Sequence, residues 1–342
     1  MELYAGIDLH SNNSVLSVLD ETDRVVFAKR LPNDLAAIVA ALRACVGDGA
    51  GTLHGVAVES TYNWYWLVDG LMDAGFTVHL VNTCAIKQYD GLKHSGDFED
   101  ARHLAHLMRL GILPTGHIYP KGERAVRDLL RKRGQLVRQR SSQILSVQNL
   151  LARNLATRAR GNEIKQWSDA QIDAMPLLPE QQQALKANLA VMSCLDGQIK
   201  QLERSILSKV KLQAQFQSLK TVSGIGDVLA LTIALETGEI SRFESPGNFA
   251  SYARAVNSRR ESNGKKKGQG NTKCGNKHLA WAFIEAAHFA VRYDAAIKRW
   301  YQKKCTSSLS VVAIKAVAHK LARACYHVMK DGQAFDVKKA FG

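Results

Sequence analysis

Apolar positions recur at every second residue from Leu3 to Leu9 and crowd together over 14–19, and both stretches read as strands. Glu21-Thr22-Asp23 is a turn signal, and a third strand resumes from Val25 to Leu31. Residues 34–45 (DLAAIVAALRAC) repeat apolar positions at helical spacing. A short strand from Gly55 to Val58 then ends at Glu59. A helix over about 62–74, a strand over 76–81, a helix near 83–91 and a helix from Asp97 to Leu110 follow. The order βββ-α-β-α-β-α predicts an α/β RNase H-like domain over residues 1–115, a mixed sheet with helices on both faces.

The pattern then changes. Leu130, Val137, Ile144 and Leu151 recur every seven residues, flanked by Leu129, Leu136 and Leu150. After a polar break at 157–183, Leu185, Met192, Ile199 and Ile206 repeat that spacing. Two heptad helices joined by a loop predict a helical middle domain over 116–215, either an antiparallel coiled-coil hairpin, a dimerisation arm or an ordinary amphipathic pair. Residues 216–342 form a third, mostly α unit. It holds a glycine turn, Ser223-Gly224-Ile225-Gly226, a basic glycine-rich loop at 259–277, and two long helices near 276–304 and 308–331.

Charge sharpens this division. Residues 1–115 carry 8 basic and 14 acidic side chains, a net of −6; residues 116–342 carry 38 and 17, a net of +21. So basic a body expects a polyanionic partner, above all nucleic acid. Arg131, Lys132, Arg133, Arg138 and Arg140 crowd one helix, where they either follow a phosphate backbone or form a solvated face. No apolar run approaches the ~20 residues that span a bilayer, so no membrane partner is expected. Met1 to Asp8 enters a strand without a basic leader, which predicts a cytoplasmic location. The six cysteines include no C-x-x-C pair, which argues against a zinc knuckle or a disulfide framework.

The candidate chemistry is acidic. Asp8 lies inside an apolar strand, where a charge is costly without a partner. Glu59 ends the fourth strand, and Asp97 and Asp100 share one side of a helix start. In an RNase H-like sheet the first and fourth strands are neighbours, so these four carboxylates converge. Mg²⁺ or Mn²⁺ would relieve their repulsion and support phosphoryl transfer. Singly, each has a structural reading: Asp97 as a helix cap, Glu59 as a strand end. His103 and His106 stand near Asp100 at a spacing that zinc would also accept.

A second constellation is Arg259-Arg260-Glu261-Ser262-Asn263-Gly264-Lys265-Lys266-Lys267, with Lys273 beyond it. On the residues alone this is a flexible phosphate-binding loop whose serine needs an activating base or metal to react. The turn at Gly224 and Gly226 resembles a helix-hairpin-helix, in which backbone N–H groups hold a DNA phosphate. A stand-alone nuclease would share the carboxylates but not need Ser262. A sugar-kinase-like ATPase would share Gly6-Ile7-Asp8-Leu9 but need a later D-x-G-G strand, which is absent. A non-catalytic nucleic-acid-binding protein would not depend on Asp8.

The chain resembles the insertion-sequence-110 family of transposases, whose members include bridge-RNA-guided recombinases. The residues that carry the likeness are Gly6-Ile7-Asp8, Val58-Glu59-Ser60-Thr61-Tyr62, Asp97-Phe98-Glu99-Asp100-Ala101-Arg102, Gly224-Ile225-Gly226, Phe249-Ala250-Ser251-Tyr252-Ala253, Glu261-Ser262 and Lys273-Cys274-Gly275-Asn276-Lys277-His278-Leu279. The resemblance implies a RuvC-like DEDD domain, a coiled coil and a serine-bearing transposase domain. It assigns Asp8, Glu59, Asp97 and Asp100 to Mg²⁺ and makes Ser262 the nucleophile. It further implies double-stranded DNA (element ends and target) and a structured guide RNA as partners, a homo-oligomer (dimer or tetramer), and a bacterial, nucleoid-associated setting. Ser223, Arg254 and Asn257 depart from the proline, glycine and proline usual in the family.

Overall fold

The computed structural model describes residues 1–47, 51–86, 96–210, 214–257, 260–268 and 274–342, which divide into two compact units, Met1–Lys121 and Gly122–Gly342. In the first unit, β1 (Glu2–Leu9) is buried on both faces. It pairs antiparallel with β2 (Asn13–Asp20), which pairs antiparallel with β3 (Val25–Pro32). Helix α1 (Leu35–Val46), capped by the Asp34 carboxylate, leads to β4 (Thr52–Glu59), which runs parallel to β1. Helix α2 (Tyr65–Asp73) leads to β5 (Val78–Val81), parallel to β4. The sheet order is β3-β2-β1-β4-β5.

Strand alternation distributes the two faces. Leu3, Ala5, Ile7 and Leu9 pack on Ile38 and Leu42 of α1 and Leu67, Val68 and Leu71 of α2. Gly6 and Asp8 point the other way, toward α3 (Asp97–Arg109). This mixed sheet with helices on both faces is consistent with a DEDD or RNase H-like domain. One expectation changes. Within the helix anticipated near 83–91, the described part is a short 3₁₀ turn, Thr83–Ala85, and Ile86 is extended. The Asn82 amide donates to the Pro114 carbonyl, and Val81 bridges Thr115, which holds this segment as a sheet extension. Residues 87–90 lie outside the described residues.

In the second unit, α4 (Lys121–Leu155) and α7 (Pro179–Val210) are joined through α5 (Gly161–Ile164) and α6 (Asp169–Asp173). Ion pairs Arg133–Glu203 (2.6 Å) and Arg140–Asp196 show that the two long helices run antiparallel. Val147, Leu150 and Leu151 of α4 bury against Leu185 and Met192 of α7. The other core of this unit gathers α8 (Ala214–Leu219), α9 (Asp227–Thr237), α10 (Pro246–Tyr252), α11 (Lys277–Tyr293), α12 (Ala295–Cys305), α13 (Ser310–Asp331) and α14 (Val337–Phe341). The helix expected over 276–304 is two helices. Asp294 is extended, caps Ala296 and Ile297, and accepts the Ser223 hydroxyl at 2.6 Å, so the chain turns there.

The basic loop also holds a regular element. Arg260–Ser262 (β6) and Lys265–Gly268 (β7) form an antiparallel hairpin. Asn263 and Gly264 both have positive φ, the conformation that a two-residue hairpin turn requires. Among the described residues no helix is long and apolar enough to cross a membrane.

Candidate metal centre and basic hairpin

The strand register places Ile7 beside Val58, so Asp8 and Glu59 end adjacent parallel strands. Gly6 lets α3 approach them. A Cβ there would lie 2.1 Å from the Ala101 carbonyl oxygen and 2.8 Å from the Ala105 amide nitrogen. The bare backbone at Gly6 therefore brings the first turn of α3, with Asp97 and Asp100, to the Asp8 strand end.

The four carboxylates are electrostatically joined. Burial, a hydrogen bond with Asp8 and the negative charges of Asp8 and Asp100 push the Glu59 carboxyl up to about 8. Burial, Asp8 and Asp97 likewise raise Asp100. Asp97 is held low by its hydrogen bond from Arg30 (2.6 Å) and by His10. Asp8 itself is buried, 5% exposed.

Two further residues complete the cluster. His10 Nε2 lies 3.2 Å from Asp8 Oδ2 and 3.3 Å from Asp97 Oδ2, although neither contact has hydrogen-bond alignment. Ligand atoms of Asp8, His10 and Asp97 all fall within 4.8 Å of one another. Arg30 also donates to Asn13 Oδ1 at 2.7 Å, which fixes its direction. The signal for His10 was present in the sequence. Asp8 and His10 are two apart, so they share a side where the strand ends. Arg30, 67 residues from Asp97, had no local signal. The donor chemistry fits a divalent ion. Carboxylate oxygens dominate, an imidazole nitrogen lacks an aligned partner, and excess negative charge is concentrated in one spot. This is a candidate divalent-metal centre.

The two histidines of α3 play another part. His106 Nδ1 meets Asp23 Oδ1 at 2.6 Å, with Arg109 Nε at 3.0 Å and Arg102 at 3.2 Å from the same carboxylate. His106 thus ties α3 to the β2–β3 turn. Burial and neighbouring His106 lower the basicity of His103.

Ser262 lies in the second unit, exposed at the end of β6 and paired with Lys265 across the hairpin. Lys265 and Lys267 are exposed on β7. Arg259 and Lys273 lie outside the described residues, as do the side chains of Arg260 and Lys266. Gly224 and Gly226 differ in kind. A Cβ on Gly224 would meet the Ala286 carbonyl at 2.4 Å and the Ala290 amide at 2.6 Å, so this glycine is required for packing on α11. Gly226 caps α9 and faces open space. The arginine-rich face of α4 is largely neutralised from within: Arg131 forks onto Glu236 at 2.7 and 2.8 Å, Arg133 pairs with Glu203, and Arg140 with Asp196.

Two family models match this chain. One, described as "Transposase" and specific to the DEDD type of insertion sequence 110, covers residues 5–155; the other, "Transposase IS116/IS110/IS902 family", covers residues 216–302. A probable family 20 transposase of Pseudomonas aeruginosa is 27% identical over 93% of this chain and 90% of its own. The transposase for insertion sequence element IS1328 of Yersinia enterocolitica is 22% identical over 96% of this chain and 97% of its own. The transposase for element IS1111A of Coxiella burnetii is 22% identical over 84% and 78% respectively. With both halves matched in the same order, and acidic side chains gathered at the strand ends of the first, the chain belongs to the IS110 family of insertion-sequence transposases, enzymes that cut and rejoin DNA.

Proposed function

We propose that this transposase transfers DNA strands through a serine nucleophile, Ser262, assisted by Mg²⁺ or Mn²⁺ held by Asp8, Glu59, Asp97 and Asp100, with a structured bridge RNA choosing the DNA. The observation that supports this reading best is the crowding of Glu59 and Asp100 around Asp8, which raises both of their carboxyls, a repulsion that a divalent cation would relieve. His10 joins the ligand set. When bound, the ion supplies charge stabilisation for a phosphoryl group in transit. Asp8 and Glu59 orient from the sheet, and Asp97 and Asp100 from the helix. Arg30 holds Asp97 against the cluster.

In the transfer step a bond forms between Ser262 Oγ and phosphorus as the bond from phosphorus to one deoxyribose oxygen breaks. The serine proton passes to solvent water, and the departing deoxyribose oxygen takes a proton from water, so that no net proton is gained or lost. Arg259, Arg260, Lys265, Lys266, Lys267 and Lys273 hold the phosphate and offset its charge. The turn at Gly224 and Gly226 grips a second phosphate, as in a helix-hairpin-helix, with Gly224 shaping the turn and the α9 amides facing the anion. The work divides over a RuvC-like domain (1–115), a coiled-coil arm that assembles a dimer or tetramer (116–215) and the serine-bearing domain (216–342).

The test incubates the protein with Mg²⁺, element-end DNA and co-expressed element RNA, and reads a denaturing gel. A protein–DNA adduct that disappears with Ser262→Ala supports the reading. Undiminished cutting by that variant, with no adduct in either protein, would instead identify a stand-alone nuclease.

A further inference from the structure

Residues 295–342 carry ten Lys and Arg against two Asp, a net of +8, and residues 303–342 lie beyond both family matches. The fold concentrates this charge on one face. Helix α12 lines one groove with Arg299 and, one helical turn on, Lys303 and its neighbour Lys304, and α14 presents Lys338 opposite them. Between them runs a groove of about 620 Å³. On the far side of α14 lies a second groove, of about 550 Å³, whose lining mixes Lys320, Arg323 and Lys339 with the carboxylates of Asp331 and Asp336. The α12 side of α14 is therefore the basic one, with four cations and no Asp or Glu among its lining residues.

The floor of the first groove is fixed. Trp300 and Phe341 meet edge to face at 5.6 Å. Lys320 Nζ stands 5.2 Å and 5.5 Å above these two rings and donates to the Ala340 carbonyl at 2.8 Å. Of the rim cations, Arg299 faces the charge of Asp294, whereas the three lysines have no such acid. Among the described residues no carboxylate pairs with Lys303, Lys304 or Lys338. Both aspartates of this segment lie on the second groove, away from these lysines: Asp336 caps the Lys338 and Lys339 amides, and Asp331 faces His327 at 3.4 Å. Unlike the arginines of α4, which are matched by acids, these lysines repel one another without relief.

We propose that the α12–α14 face is a docking surface for the sugar–phosphate backbone of duplex DNA, separate from the Ser262 hairpin and from the turn at Gly224. Cations a helical turn apart on a rigid floor suit successive phosphates of one strand, and the locked aromatics leave no ring free to read bases. The surface positions DNA without selecting its sequence. It does not depend on the metal centre or on Ser262.

The experiment measures binding of a labelled 30-base-pair DNA duplex of arbitrary sequence by fluorescence anisotropy across a salt series. It uses the full chain without divalent metal. The variants are Lys303→Gln/Lys304→Gln/Lys338→Gln and a control, Lys165→Gln/Lys200→Gln/Lys209→Gln, which removes equal charge elsewhere. Circular dichroism melts verify folding. Three lost phosphate contacts should lower the slope of log K against log salt by about 3 and weaken binding by at least about tenfold at 0.1 M salt. The control should change the slope by less than about 1. Equal effects of the two variants would reduce the surface to general charge and overturn the proposal. A loss confined to duplex or single-stranded RNA of the same length would overturn it in favour of an RNA surface. The strand-transfer reading is scored separately, by the Ser262 adduct.

Discussion

Two glutamates, one half-buried and one fully buried, show what the two units do with charge. Glu59, at the end of β4, faces Asp8 and Asp100, and burial with like charge pushes it up to about 8. Glu236, in α9, is more deeply buried at 1% exposed. Burial pushes it upward too, but the Arg131 guanidinium and the Asn276 amide, at 2.7–2.8 Å, hold it below the ordinary carboxylate range. The first carboxylate faces its own sign; the second has a cation beside it. Burial alone therefore does not mark a functional acid. The sign of its neighbours does.

This contrast sets the largest expected effect. Asp8→Asn should lower Mg²⁺-dependent strand cleavage by roughly a thousandfold, about 4 kcal/mol of transition-state stabilisation. It should leave DNA binding intact and the metal-free fold no less stable, because one repelling charge is gone. Cleavage at the wild-type rate, read on a denaturing gel, would contradict the metal centre. Arg131→Met should do the reverse. It strands Glu236 as an unpaired buried charge and costs about 3 kcal/mol in urea denaturation, with Mg²⁺ affinity unchanged. A neutral result would mean that Asn276 suffices for Glu236.

The glycines offer a matched pair of smaller effects. Gly6→Ala and Gly224→Ala both force a methyl into a neighbouring helix backbone, so each should destabilise by about 1–3 kcal/mol. Only Gly6→Ala should also weaken metal binding by calorimetry, since it moves Asp97 and Asp100 away from Asp8. Equal metal affinity in both variants would separate the helix approach from the site.

Proton linkage gives the most delicate reading. Without metal, folded Glu59 keeps a proton that the unfolded chain has lost above about 4.5. The stability this contributes is present at low pH and fades as pH climbs toward 8. Divalent metal should remove that fading and displace about one proton per ion bound at pH 7. Calorimetry in two buffers of different ionisation enthalpy measures the proton count. A count of zero would place Glu59 outside the ligand set.

Much of the first unit was legible. Strand-like patterns and the turn signal at 21–23 located β1 to β3, and helical spacing located α1. Asp8 stood out as a charge in an apolar strand. The second unit was read less sharply where turn chemistry decided the outcome. Asn263-Gly264 is a strong hairpin signal inside a segment that composition alone marks as a loop. Asp294, a polar residue in a helical pattern, breaks the helix because it caps the next one and accepts Ser223 from 71 residues away. The basic face of α4 illustrates the same limit. Spacing predicts either a phosphate track or a solvated surface, whereas most of its arginines are satisfied by acids 56 to 105 residues distant.

From its sequence alone this protein has a determined order of strands and helices, a set of acidic residues at element ends, and a basic body suited to DNA. Those properties are local or additive: a period of two or 3.6 is a property of neighbouring residues, and net charge is a sum. Tertiary structure decided which charges meet. It placed His10 and Arg30 against Asp97, left Glu59 facing its own kind, and neutralised Arg131 while leaving Lys303 and Lys338 unmatched. Electrostatic energy depends on distance in space rather than along the chain, so only the folded arrangement separates a structural charge from a functional one.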